Sequence, residues 1–353
     1  MGSSSRITVV IATGLAALAV TSAPASALAI FSGSGPTAAS IQPSVDNFRA
    51  SLGTLNPNVA GSFGTGRREI NWDGVPDALA APNFLPADFF NSNSPRGVIF
   101  STPGTGLQVS ANAASGTPVE FGNINATYPT VFAPFSAPRL FTALGSNIVD
   151  VTFFVAGSAT PALVRGFGAV FSDVDLPTTS SITFFDVADA PLGTFFVPAL
   201  AGSETFSFLG VDFQSNIVSA VRISSGNAAL GPNDAPPTTD VVVMDDFIYG
   251  EPNGPTSATF SSFSGRHTLR GVVLRWRTAQ EVGSLGFNVY RGSVGHRVRL
   301  NRAIVRARGS VAGAGYAYRD ARAPRQARLR YWLEEVGADG SHQWRGPLVV
   351  SAG

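Results

Sequence analysis

The chain contains no cysteine and no lysine, and only three histidines. Each absence removes a chemistry. Without cysteine there is no disulfide framework, no thiolate nucleophile and no sulfur-ligated zinc. Without lysine there is no Schiff base, and all 24 cationic side chains are arginines. The histidines, His267, His296 and His342, stand 29 and 46 residues apart, which matches no zinc-ligand spacing. All three fall in the last hundred residues, so a Ser-His-Asp arrangement cannot be assembled upstream of them. No G-x-S-x-G string occurs. No catalytic residue is assigned.

Long apolar runs are scarce as well. The one that stands out is "ITVVIATGLAALAV" near the start, preceded by Arg6 and followed by "SAPASALA". Fourteen apolar residues are short for a span, which needs about 20. A charged start, an apolar middle and small residues at Ala25, Ala27 and Ala29 are the parts of a secretory signal peptide, with cleavage expected after Ala27 or Ala29. Residues 1–29 are therefore assigned to export, with no membrane span after cleavage and a secreted, extracellular location. The remaining 324 residues suffice for one or two full cores, which must hold without disulfides.

Charge is split along the chain. Residues 30–250 carry 7 Arg against 17 Asp and Glu, whereas residues 251–353 carry 16 Arg against 6. Phenylalanine splits with it, 23 of 26 preceding residue 251. Two building units explain both asymmetries: an acidic domain over 46–250 and a basic one over 258–353. Residues 30–45, small and polar with Gly and Pro, read as a lead-in loop, and "EPNGPTS" (251–257) as the linker. The acidic region consists of short apolar runs broken by turn residues, several of them alternating, such as Val221 and Ile223 about Arg222. Strands every 10–15 residues predict an all-β sandwich. "VDNFRASLG" (45–53) is the one helix candidate.

The succession "GFGAVFSDVD", "ITFFD", "LGTFFV", "FLGVDF", "IVSAVRI", "VVMDDFIYG" resembles jelly-roll-like β-sandwiches of the carbohydrate-binding-module and MAM-like kind, found in secreted bacterial proteins. The last hundred residues, with "GVVLRWRTAQEVGSLGFNVYRG" and "LRYWLEEVGADG", resemble a fibronectin type III-like domain. That resemblance implies a core position for Trp276, a place on the next strand for Tyr290 and a corner tyrosine at Tyr331. It implies a spacer or binding module and no catalysis.

Three functional expectations follow. Calcium takes six to eight oxygens from carboxylates and carbonyls on irregular backbone. Asp73 and Asp77 in "INWDGVPD", Asp173 and Asp175 in "SDVDL", and Asp246 in "MDDF" are its candidate ligands. The same aspartates can instead cap turns or pair with Arg67, Arg68 or Arg165. Sugar binding needs an exposed ring beside polar groups. Trp72 with Asn71, and Tyr128, have the right residue types, although Trp72 equally suits a core. The arginines of "HRVRLNRAIVRARG" (296–309) alternate with Val298, Leu300 and Val305, which predicts apolar side chains inward and arginines facing water or an acidic surface such as envelope polysaccharide, with no nucleic acid as partner. The function expected is an exported, non-enzymatic binding or adhesion protein for carbohydrate with a structural calcium. The alternative is a polysaccharide-acting hydrolase, or an accessory protein, using an Asp/Glu pair.

Overall fold

The computed structural model describes residues 28–187, 189–254, 258–281, 284–293, 295–308, 313–324, 328–337 and 342–351. Most of the expected signal segment, residues 1–27, lies outside them, as do linker residues 255–257. The chain is nearly all β, built from antiparallel sheets.

In the acidic unit a seven-stranded sheet runs in the order Ala29–Gly35, Phe206–Asp212, Gly166–Ser172, Val243–Gly250, Phe141–Leu144, Gly106–Val109, with Arg67–Ile70 also paired to Val243–Gly250. A five-stranded sheet has the order Val98–Ser101, Ile148–Phe153, Ala220–Ser224, Ser181–Phe185, Pro191–Phe196. Their facing sides form one core, in which Trp72 stacks on Phe141 at 4.0 Å between ring centroids and meets Phe90, Phe100 and Phe247.

The two sheets read differently in sequence because they are covered differently. The central strands Gly166–Ser172, Phe206–Asp212 and Val243–Gly250 are buried at every residue, and none of them shows the strict apolar–polar alternation of a half-covered strand. Ala220–Ser224 has one covered face, so Val221 and Ile223 are buried and Arg222 is exposed.

What covers the larger sheet is the helix Ala38–Leu52, which buries Ile41, Val45, Phe48 and Leu52 against Val170, Phe206, Phe208 and Ile248. The lead-in loop expected over 30–45 is thus corrected. Ala29–Gly35 pairs with Phe206–Asp212, Ala29 opposite Asp212, and the helix begins at Ala38, seven residues before the helix candidate. Pro43 and the small polar residues disfavour a helix locally, but burial of the Ile41 side of the helix outweighs propensity. Gly168 and Gly210 face each other across adjacent strands and leave a hollow for the Phe48 ring: a Cβ on Gly210 would sit 2.7 Å from that ring.

The linker boundary also moves. Glu251 is buried and takes both Arg68 Nε and Nη2, at 2.7 and 2.9 Å, while Asn253 and Leu163 exchange backbone hydrogen bonds. Residues 251–254 therefore belong to the acidic unit. The basic unit is a second two-sheet sandwich. Strands Thr259–Thr268, Gly271–Gln280 and Gly315–Asp320 form one sheet; His296–Arg299, Ser284–Ser293, Leu329–Gly337 and His342–Val350 form the other, with Val305–Arg306 on Ser284–Ser293. Trp276, Leu274, Phe287, Val289, Tyr331 and Leu333 fill its core.

The hollow under Phe48 yields a stability prediction. Gly210→Ala should lower unfolding free energy by about 1–3 kcal/mol through overpacking. Combined with Phe48→Ala it should cost less than the two single changes added together, measured as a double-mutant cycle in urea.

Candidate metal site

The aromatic residues proposed for sugar binding do not form a platform. Trp72 is 1% exposed, in a left-handed backbone conformation (φ 65°) that turns its ring into the phenylalanine core. Tyr128 is fully buried on Phe132, and its hydroxyl donates to Pro232 O and accepts from Gly231 N. Asn71 is exposed but spends its amide on Asp73. Both rings serve the core because burying their large apolar area outweighs any gain from display.

Three of the five expected metal ligands are likewise committed elsewhere. Asp77 accepts from the buried Arg139 guanidinium and from Asn112 Nδ2. Asp73 accepts from Arg139 N at 3.2 Å. Its carboxyl is pushed up to about 6 by burial, against the hydrogen bond from Arg139 and with help from the Asp246 charge. Asp246 sits with Asp245 where the pairing of Val243–Gly250 slips between Met244 and Phe247. Asp246 accepts from Ser136 Oγ at 2.6 Å and Arg49 Nη2 at 3.1 Å; Asp245 accepts from Phe135 N and Ser136 N. These carboxylates fasten loops to the sheet, and Asp73, Asp77 and Asp246 stand outside the group of three acidic side chains that, among the described residues, could share an ion.

Asp173 and Asp175 are placed differently. Phe206 and Val243 both stand opposite Ser172, so three strand ends converge just beyond that residue. Asp173 and Asp175 follow Ser172, the segment containing Asp234 and Asp240 leads into Val243, and Gly202–Thr205 leads into Phe206. Carboxylate oxygens of Asp173, Asp175 and Asp234 all lie within 4.8 Å of one another. Asp175 Oδ1 accepts from Gly202 N at 2.7 Å, and Asp234 Oδ1 from Val241 N at 3.1 Å. Asp240 closes the corner from behind, accepting from Asp175 N, Leu176 N and Thr179 Oγ1.

Asp173 has no such partner. Its side chain is fully buried, and neither carboxylate oxygen has a hydrogen bond. Its backbone is left-handed, φ 70°, which costs about 1 kcal/mol or more for a residue with a Cβ. Burial, reinforced by the Asp234, Asp175 and Asp240 charges, pushes its carboxyl up to about 9. Burial first, then Asp175 and Asp240, raises Asp234 to about 6. Burial raises Asp240 too, against its three donors. Among the described residues no salt bridge reaches any of these four aspartates.

An oxygen-only donor set without His or Cys suits a hard cation. Oxygens on opposite sides of one bound calcium are about 4.6–5.2 Å apart, so carboxylates within 4.8 Å can share an ion. Sequence reading missed Asp234 and Asp240. Both lie some 60 residues beyond Asp173, and only the order of strands in the sheet brings them back.

One cleft of the acidic unit lies beside the buried Arg68–Glu251 pair. It has a volume of about 520 Å³, is lined among others by Asn56, Arg165, Asn216 and Asn253, and contains a single carboxylate, Glu251, already engaged by Arg68. Three clefts of the basic unit have no carboxylate among the described residues of their walls.

No known protein family and no curated protein matches the chain. Among solved structures it is similar to the glycoside hydrolase domain of Endo-D from Streptococcus pneumoniae R6, at 10% identity over 70% of this chain and 36% of that one, with a TM-score of 0.23. It is similar to a beta-1,2-glucanase from Parabacteroides distasonis at 13% identity, over 74% of this chain and 38% of that one, TM-score 0.19. It is also similar to the adhesin domain of Epf from Streptococcus pyogenes at 8% identity, over 73% of this chain and 91% of that one, TM-score 0.24. The chain spans little more than a third of the two hydrolase chains.

The raised Asp173 carboxyl gives a pH prediction for the metal-free protein. The folded state holds the Asp173 proton more tightly than the unfolded state, so stability falls as pH rises from about 4 towards about 9. In EDTA, melting temperature should fall with pH over this window more steeply in the wild type than in Asp173→Asn. Parallel curves would contradict it.

Proposed function

We propose that the chain is an exported, non-catalytic binding protein for carbohydrate, whose acidic jelly-roll-like sandwich is locked by one calcium ion and followed by a fibronectin III-like module. One observation carries the calcium assignment: a fully buried Asp173 with both oxygens free, facing two further carboxylates. Burying an ionised carboxylate without a partner costs several kcal/mol, and a divalent cation removes that cost. Bound there, the ion ties the segment before Val243 to the end of Gly166–Ser172.

Export rests on the signal-like segment, and processing after Ala27 leaves the strand Ala29–Gly35 whole. Among the described residues no helix is long and apolar enough to cross a membrane.

Calorimetric titration of EDTA-stripped protein should give one calcium per chain, with magnesium a poor substitute. Calcium at about a hundred times its dissociation constant should raise unfolding free energy by about 2.7 kcal/mol. Asp173→Asn and Asp234→Asn should each abolish that gain, while Asp77→Asn should keep it. A melting temperature indifferent to both calcium and EGTA would remove the ion from the proposal.

A further inference from the structure

The exposed aromatic surface absent around Trp72 occurs in the basic unit. Trp344, on the edge strand His342–Val350, is 44% exposed. Its ring centroid lies 4.9 Å from that of half-buried Tyr290. The Arg297 guanidinium lies against two tryptophans, 4.4 Å from the Trp344 ring and 5.2 Å from buried Trp332. Its Nε is buried and has no acceptor. This inverts the alternation expected over 296–300: Val298 is 66% exposed and Arg297 is turned in. Stacking on two indoles explains the inversion, since a guanidinium gains more from aromatic faces than valine does at an open sheet edge.

Behind the rings is a polar base. Glu334 accepts from Tyr290 Oη at 2.7 Å and Asn288 Nδ2 at 2.9 Å, and lies 3.1 Å from His342 Nδ1. Burial alone would raise its carboxyl. The hydrogen bonds from Tyr290 and Asn288, with His342 beside it, bring it below the usual glutamate range, so it remains an anion that fixes the Tyr290 ring. Arg299 stands opposite Tyr290 on the neighbouring strand and is exposed. Among the described residues neither Arg297 nor Arg299 pairs with a carboxylate. The face therefore offers two adjoining rings, one of them open to solvent, and an uncompensated arginine beside them, on a unit (258–353) with 16 Arg and 5 Asp and Glu.

We propose that this face binds an acidic glycan, with the Trp344 and Tyr290 rings against the apolar faces of successive sugars and Arg299 on a uronate carboxylate. The inference rests on the carbohydrate reading above and names its site and ligand class. Rings stack on the C–H face of a pyranose, and arginine forms paired hydrogen bonds with a carboxylate. Charge complementarity selects an anionic chain over a neutral one.

Titration of the whole calcium-loaded protein with tetragalacturonate, maltotetraose and a short oligodeoxythymidylate tests it. Tetragalacturonate should bind, more weakly at high salt, and the neutral sugar should not. Trp344→Ala should weaken binding at least tenfold while the protein stays folded, and Arg299→Ala, at an exposed side chain, should abolish the preference for the acidic sugar at the wild-type melting temperature. Uronide binding that survives Trp344→Ala would overturn this site and leave the carbohydrate reading standing. Binding of neither sugar would overturn the site, and a glycan array blank for the same protein would overturn the wider reading as well. Oligodeoxythymidylate bound as tightly as the uronide would show a stacking groove for polyanions in general, and the glycan assignment would fall.

Discussion

The pairing of Gly166–Ser172 with Val243–Gly250 is the constraint on which the acidic unit depends. Both strands are buried on both faces, so their register cannot slip without exposing one apolar set. Phe247 opposite Ala169 puts Phe247 and Tyr249 into the aromatic core and sets Ile248 under the helix, while Val243 opposite Ser172 brings the residues after Ser172 to those before Val243. Core, covering helix and acidic corner are three consequences of one strand pairing. The slip between Met244 and Phe247 adds a fourth, since it is where Asp245 and Asp246 accept from Phe135, Ser136 and Arg49.

A chain with so many buried charges has to satisfy each of them, and this one does so in several ways. Arg68 and Glu251 pair directly, and spare donors of Arg68 reach the carbonyls of Pro57 and Gly61. Asp245 is met by backbone amides. Asp240 takes two amides and a hydroxyl. Against that background Asp173 is the exception, and its position among three other carboxylates makes the exception worse for a protein without a cation there. Removing one partner from a buried pair costs about 3–5 kcal/mol, and in the metal-free chain the raised Asp173 carboxyl escapes a cost of that kind by holding its proton.

The aromatic side chains show how residue type and role part company. Trp72 with Asn71 and Asp73 has the composition of a sugar platform, yet its backbone conformation sends the ring inward. Trp344, in "HQWRG", has no such composition around it, yet its ring is left at the surface with Arg297 against it. Exposure depends on which strand lies at a sheet edge, and edges are set by pairing.

What the sequence by itself determined is what local pattern and composition encode: the all-β class, the one-sided strand around Arg222, and the exclusion of thiol, lysine and zinc chemistry. The adjacency of Asp173 and Asp175 was also legible, because two residues apart is a local distance. Tertiary structure alone decided the rest. The helix at Ala38–Leu52 forms over Pro43 because a sheet awaits its apolar face. Asp234 joins Asp173 across some 60 residues because two strands pair in one register. Asp77 and Asp246 are spent on Arg139 and on Ser136 and Arg49, residues far away in the chain. Long-range pairing leaves no periodicity to read, since its energy comes from surfaces that become neighbours only once the chain has folded.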